Sequence, residues 1–75
     1  MNQALLLNND LTFDEQQQAW LITGFYQSQD IRFYINTNKL PISSQITSVI
    51  LLDLEADIED WLENNEPDEN NHCWL

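Results

Sequence analysis

A long amphipathic segment spans residues 45–64, which read QITSVILLDLEADIEDWLEN. On a helical wheel its apolar side chains gather on one side and its acids on the other. The apolar side holds Ile46, Ile50, Leu51, Leu54, Ile58, Trp61 and Leu62, and the acidic side holds Asp53, Glu55, Asp57, Glu59, Asp60 and Glu63. This pattern predicts one long helix with a single core-facing side.

The ends of this helix have their own signals. Ser43 or Ser44 is suited to cap its N-terminus, because a hydroxyl can accept a hydrogen bond from a free backbone N–H. Pro67 prevents much extension of the helix beyond Asn65. We therefore predict a helix from about Gln45 to about Asn64.

Three shorter segments ahead of the helix are typical of strands. They are rich in β-branched and aromatic residues, and polar connections separate them. A fourth segment, 4–7, suits either a strand or a helical turn. The predicted strands are Leu11–Phe13, Ala19–Tyr26 and Ile31–Ile35. We expect an α+β fold: a small antiparallel meander of three strands, with a fourth left open, and one long amphipathic C-terminal helix packed on it.

The length and composition indicate one folded domain. The 75 residues are 43% hydrophobic and include three Trp, three Phe and two Tyr, whereas disordered acidic chains are poor in aromatic residues. We predict a single compact domain over residues 1–65. An acidic C-terminal tail over 66–75 follows, and the sequence leaves its flexibility open. The apolar end of that tail, Trp74 and Leu75, either folds back onto the core or docks on a partner.

The charge excludes several functions. Thirteen acids against two Lys or Arg give a net charge of −11, so direct binding to nucleic acid or to an anionic membrane is not expected. One cysteine cannot staple a secreted mini-protein. No apolar run is long enough to cross a bilayer, and no basic signal-peptide region opens the chain. We expect a cytoplasmic protein, in a bacterial host if the chain is phage-encoded.

Most of this charge is concentrated in one part of the chain. Residues 53–75 hold nine of the thirteen acids and no base. Pairs such as Asp53–Asp57 and Glu55–Glu59 repel at i,i+4 spacing, and no Lys or Arg relieves them. The helix is thus destabilised by repulsion between its own acids, and its surface is uniformly negative. Such a surface attracts a basic partner, or it simply keeps the domain in solution.

The longest predicted strand is apolar on both sides. Trp20, Ile22 and Tyr26 point to one side, and Leu21 and Phe25 to the other. One helix can cover only one side of the sheet. We expect the other side to be partly exposed, covered by the N-terminal segment, or buried in a homodimer.

The sequence holds no recognisable catalytic, cofactor or metal motif. His72 and Cys73 are the only residues of their kinds, and a zinc site needs three or four ligands. The alternation of acids from Asp53 to Glu59 resembles a calcium loop, but Ile58 stands where such a loop needs Gly. We therefore predict a protein that is not an enzyme and has no cofactor and no metal site.

Small size, strong negative charge, scarce Lys and Arg, and rows of carboxylates resemble, as a class, the small acidic phage-borne inhibitors that act as DNA mimics. These include anti-restriction and anti-CRISPR proteins. The resemblance covers mainly residues 53–69 and includes no diagnostic motif, so no residue role carries over from the class.

The resemblance implies an inhibitor that occupies the nucleic-acid site of a basic nucleic-acid-binding protein or complex. The expected contact residues are a first row, Asp53, Asp57 and Asp60, and a second row, Glu55, Glu59 and Glu63. Two alternatives stay open. One is an immunity or antitoxin-like neutraliser of a basic toxin, and the other is a small dimeric accessory domain whose charge serves only solubility.

Overall fold

The computed structural model describes residues 5–75 and shows one sheet with one helix packed against it, which confirms the α+β fold class. Ala4, at the start of the undecided segment 4–7, lies outside the described residues; Leu6 and Leu7 form a strand. The elements in chain order are β1 (Leu6–Leu7), β2 (Thr12–Asp14), β3 (Ala19–Tyr26), β4 (Gln29–Asn36), α1 (Ser48–Asn64) and β5 (His72–Trp74).

Strands β3 and β4 form the centre of the sheet. They pair antiparallel along their whole length, from Ala19 opposite Asn36 to Tyr26 opposite Gln29. On the outer edge of β3, β1 and β2 pair antiparallel with its two halves. On the outer edge of β4, β5 runs parallel. The sheet is therefore mixed.

The β3–β4 hairpin has a tighter turn than the sequence predicted. We expected a polar connection over residues 27–30, but only Gln27 and Ser28 lie between the strands. Both have positive φ, 52° and 64°, as in the two-residue turns whose twist matches that of paired strands. Strand β4 consequently begins at Gln29 rather than at Ile31.

The predicted position of the helix at the C-terminal end was wrong, because α1 lies in mid-chain and β5 follows it. Parallel neighbours need a long crossover, and α1 supplies it between β4 and β5. Residues 66–75, predicted as a tail beyond the compact domain, contain this edge strand. Cys73 pairs with Phe33 and is fully buried, and Leu75 N–H donates to the Tyr34 carbonyl at 2.8 Å.

The start of the helix was also predicted too early. Thr47 is the N-cap, and its hydroxyl accepts a hydrogen bond from Ile50 N–H at 3.3 Å. Ser43 and Ser44, the predicted caps, lie four and three residues before Thr47 and so do not cap α1. Ser44 N–H instead donates to the Pro41 carbonyl at 2.9 Å in a separate turn. The helix therefore begins at Ser48 rather than Gln45. Its end at Asn64 agrees with the prediction.

The core lies between α1 and one side of the sheet. Three helix residues four apart, Leu54, Ile58 and Leu62, are buried there. They are joined in one cluster by Trp20 and Ile22 of β3, Ile31, Phe33 and Ile35 of β4, and Cys73 of β5. Within the described part of the chain, α1 lacks the length and apolar character of a bilayer-crossing helix.

Candidate functional site

The outward side of α1 carries the predicted contact residues. Because Leu54, Ile58 and Leu62 hold the helix on the sheet, the opposite side faces solvent. Glu55 is half-buried at the border with the core, and the other five side chains are exposed. We call the six residues together the acidic helix face: Asp53, Glu55, Asp57, Glu59, Asp60 and Glu63.

The acidic helix face consists of two rows. The row from Asp53 to Asp60 and the row from Glu55 to Glu63 each extend about 10–12 Å along the axis at 1.5 Å per residue. No base lies on α1, and its last turn in particular has none. Since a helix C-terminus is itself partially negative, the acids near Asn64 add to that field.

The structure adds two apolar residues that the sequence interpretation left out. Val49 and Leu52 are 63% and 66% exposed. The helical wheel places them between the two acid rows, one turn towards the helix N-terminus. Their wheel positions, outside the core-facing stripe, were the signal in the sequence. The outward side of α1 is thus an apolar patch with carboxylates on both flanks.

A groove borders the first row. Asp53 and Asp57 line a cavity of about 340 Å³ between α1 and the segment that follows β4. Lys39 lies on the opposite wall. The wall is held in place by Trp20, whose Nε1–H donates to the Leu40 carbonyl at 2.9 Å. One of the two bases of the chain therefore faces the first row. Its positive charge makes the negative field of that row weaker than the sequence alone implied.

His72 and Cys73 are adjacent in sequence but point to opposite sides of β5. The Cys73 thiol lies in the core, where burial, assisted by the charge of Asp68, raises its pKa to about 12. The His72 ring packs edge-on against Tyr34, with centroids 5.4 Å apart. Across residues 5–75, no group of three or more His, Cys, Asp or Glu side chains is arranged to hold a metal ion.

The comparisons with known proteins give one structural relative. No family model and no curated protein matches the sequence. The fold is similar to the crystal structure of a protein of unknown function from the DUF1488 family of Shewanella loihica PV-4, with a TM-score of 0.66 and 26% sequence identity. The match covers 100% of this chain and 94% of that one. The similarity supports the fold and names no activity.

Proposed function

We propose that the chain is a non-enzymatic inhibitor, acting in the cytoplasm of a bacterial host. Through the acidic helix face it binds a basic nucleic-acid-binding protein and blocks its nucleic-acid site, as a DNA mimic of the anti-restriction or anti-CRISPR kind. One observation carries the proposal: α1 has no base and presents five exposed carboxylates on its outward side, with the half-buried Glu55 at the border.

The rigidity of α1 supports this role. Leu54, Ile58 and Leu62 anchor the helix on the sheet, so the Cβ atoms of neighbouring acids stay at the 5–6 Å spacing typical of i,i+3 and i,i+4 pairs. A fixed array of negative charge binds a cationic cleft without the entropy cost of ordering a flexible acidic tail. It also steers association, since long-range attraction raises the on-rate.

The exposed Val49 and Leu52 favour a protein as the target. Protein interfaces combine an apolar centre with a polar rim, and these two residues with the flanking acid rows give that combination. Diffuse cation binding would use the carboxylates alone. We therefore expect the apolar pair to contribute to affinity and the carboxylates to contribute to on-rate and salt dependence.

The test is competition with DNA on purified candidate targets. The immobilised chain is exposed to bacterial restriction and CRISPR effector proteins at about 0.05 M and about 0.5 M NaCl, with duplex DNA as competitor. We expect a complex that DNA displaces and that high salt weakens at least ~10-fold. Binding unaffected by excess DNA contradicts the DNA-mimic mechanism.

A matched pair of variants locates the surface. Glu55→Gln, Glu59→Gln and Glu63→Gln together remove three charges from the acidic helix face. Glu15→Gln, Glu66→Gln and Glu69→Gln remove three charges from elsewhere. The first variant should weaken the complex at least ~10-fold and the second by less than about threefold. Equal losses would show that net charge, and not the helix face, determines binding.

A further inference from the structure

The side of the sheet opposite α1 has no covering element among the described residues. We call this side the open sheet face. Its exposed large side chains are Leu6 at 61%, Phe25 at 44% and Trp74 at 49%. Exposed apolar side chains that gather on one side of a small domain are typical of an interaction surface.

Strand register arranges these residues in two apolar rows. Leu6 pairs with Phe25 across β1 and β3. Leu21, Tyr34 and Trp74 pair in sequence across β3, β4 and β5. The rows lie four residues apart along β3, roughly 14 Å. Between them runs a row formed by Thr23, Arg32 and His72.

The open sheet face carries fewer acids than the acidic helix face, and it includes a base. Asp14 and Asp30 lie near opposite ends of it, and Arg32 lies between the two apolar rows. Asp10 lies at its edge, where its carboxylate accepts a hydrogen bond from the Thr23 hydroxyl. The Asp14 carboxylate already accepts hydrogen bonds from Gln16 N–H and Gln17 N–H at 3.0 and 3.1 Å. Two chains of charge −11 repel, so they can approach most closely where neither presents a row of acids.

The size of the face suits a weak dimer. Only β3 and β4 have eight residues, and β1 with β2 on one edge and β5 on the other add five and three. At ~3.4 Å per residue and ~4.8 Å between strands, these residues cover roughly 400 Å² in projection, and side-chain relief adds to it. Stable interfaces bury about 600–800 Å² per partner, with weak ones at the lower end. The open sheet face therefore suits a small interface between copies.

We propose that the open sheet face is a self-association surface and that two copies pack sheet against sheet about a two-fold axis. The contact is isologous, so each apolar row meets a row of the other copy. Both copies of α1 then lie on the outside. The dimer consequently displays two acidic helix faces in opposite directions. This inference is independent of the proposed function, because it uses the other side of the molecule.

Sedimentation of the full chain tests the proposal. Measurements span about 5 to about 500 µM protein at about 0.05 M and about 0.5 M NaCl. We expect a dimer whose dissociation constant falls severalfold at high salt, since salt screens the repulsion between the copies. A complex through the acidic helix face should respond to salt in the opposite direction, so the two proposals fail separately. A chain that stays monomeric at the highest concentration and salt overturns the dimer.

Substitutions identify the surface. Leu6→Glu with Phe25→Glu should weaken dimerisation at least ~10-fold. Val49→Glu with Leu52→Glu is the matched control, because these residues of α1 are at least as exposed as Leu6 and Phe25. The control should keep the dimer, apart from a modest loss due to its added charge. If the circular dichroism spectrum shows that the double variant does not fold, Leu6→Glu alone is tested in its place. A dimer that survives Leu6→Glu at wild-type strength contradicts the assignment.

Discussion

The rings of Tyr34 and Trp74 stack with their centroids 4.2 Å apart and their planes 11° apart, which joins β4 to β5 on the open sheet face. Tyr34 is only 3% exposed although no element within residues 5–75 covers that side of the sheet. Trp74 shields it. The stack therefore holds β5 against β4 on the open sheet face, while Cys73 holds it on the core side.

Loss of this stack should destabilise the domain. We expect Trp74→Ala to lower the free energy of unfolding by about 1–2 kcal/mol, since aromatic stacking adds to the apolar area that is lost. Urea unfolding followed by far-ultraviolet circular dichroism at low protein concentration measures it. Leu52→Ala, at an exposed position on α1, should change stability by less than about 0.5 kcal/mol. Equal effects of both variants would disprove a structural role for the stack.

The turn before β5 depends on the charge of Asp68. The backbone N–H groups of His72 and Asn70 donate to its Oδ1, each at 2.9 Å. The His72 bond is the main cause that lowers the pKa of Asp68 below its ordinary 3.8. Desolvation opposes it, and the Asn70 bond and the charge of His72 assist it.

A carboxylate whose pKa is lower in the folded state than in the unfolded state stabilises the fold at pH values above its unfolded-state pKa. This stabilisation is lost as the pH falls through the folded-state pKa. Asp68→Asn should therefore be less stable than wild type at neutral pH, and the difference should shrink below about pH 4. Paired unfolding curves from pH 7 to pH 2 provide the measurement. At low pH the other acids also protonate, and the repulsion between them is relieved in both proteins. The difference in free energy of unfolding between wild type and Asp68→Asn at each pH cancels this shared effect. A difference independent of pH would show that the charge is unimportant.

The β3–β4 hairpin can be stabilised. Gln27 and Ser28 both adopt positive φ, which costs energy for residues with a Cβ atom. Replacing them by Asn and Gly provides the residues that this turn prefers. We expect a gain of about 1 kcal/mol, visible as a higher urea midpoint with an unchanged slope. Ala at both positions is the control, and it should give no gain. Stabilisation by Ala as well would mean that the turn geometry is not the cause.

The Cys73 thiol should be unreactive in the folded protein. It is fully buried, and its pKa of about 12 leaves almost no thiolate at neutral pH. Labelling with a thiol reagent at pH 8 should be at least ~100-fold slower in buffer than in denaturant. Mass spectrometry measures the rate. Fast labelling under native conditions would indicate that β5 detaches readily from β4.

The sequence predicted the elements with strong periodicity. Ala19–Tyr26 has both sides apolar over eight residues, and the helix keeps an apolar stripe over four turns, so local pattern and tertiary contact agree. The edge strand β5 has only three residues. Its burial depends on a crossover through α1 to Phe33, about 40 residues earlier in the chain. No local pattern contains that information.

The sequence predicted the acids of the candidate site but not the other residues that lie beside them. The acid rows follow from helical spacing alone, and their exposure follows from the burial of Leu54, Ile58 and Leu62. Lys39 across the groove could not be placed, because its position depends on how residues 39–44 pack beside α1. The inhibitor function of the rows stays a prediction.

The parallel pairing of β5 with β4 also determines the order in which the sheet can be completed. While the polypeptide is being synthesised, the backbone groups of Arg32 to Tyr34 have no neighbour on that edge until His72 to Trp74 have emerged. Unpaired edges recruit other chains, and late, non-local closure prolongs this exposure. The strong negative charge of the intervening helix opposes such recruitment, because incomplete chains of the same sign repel one another.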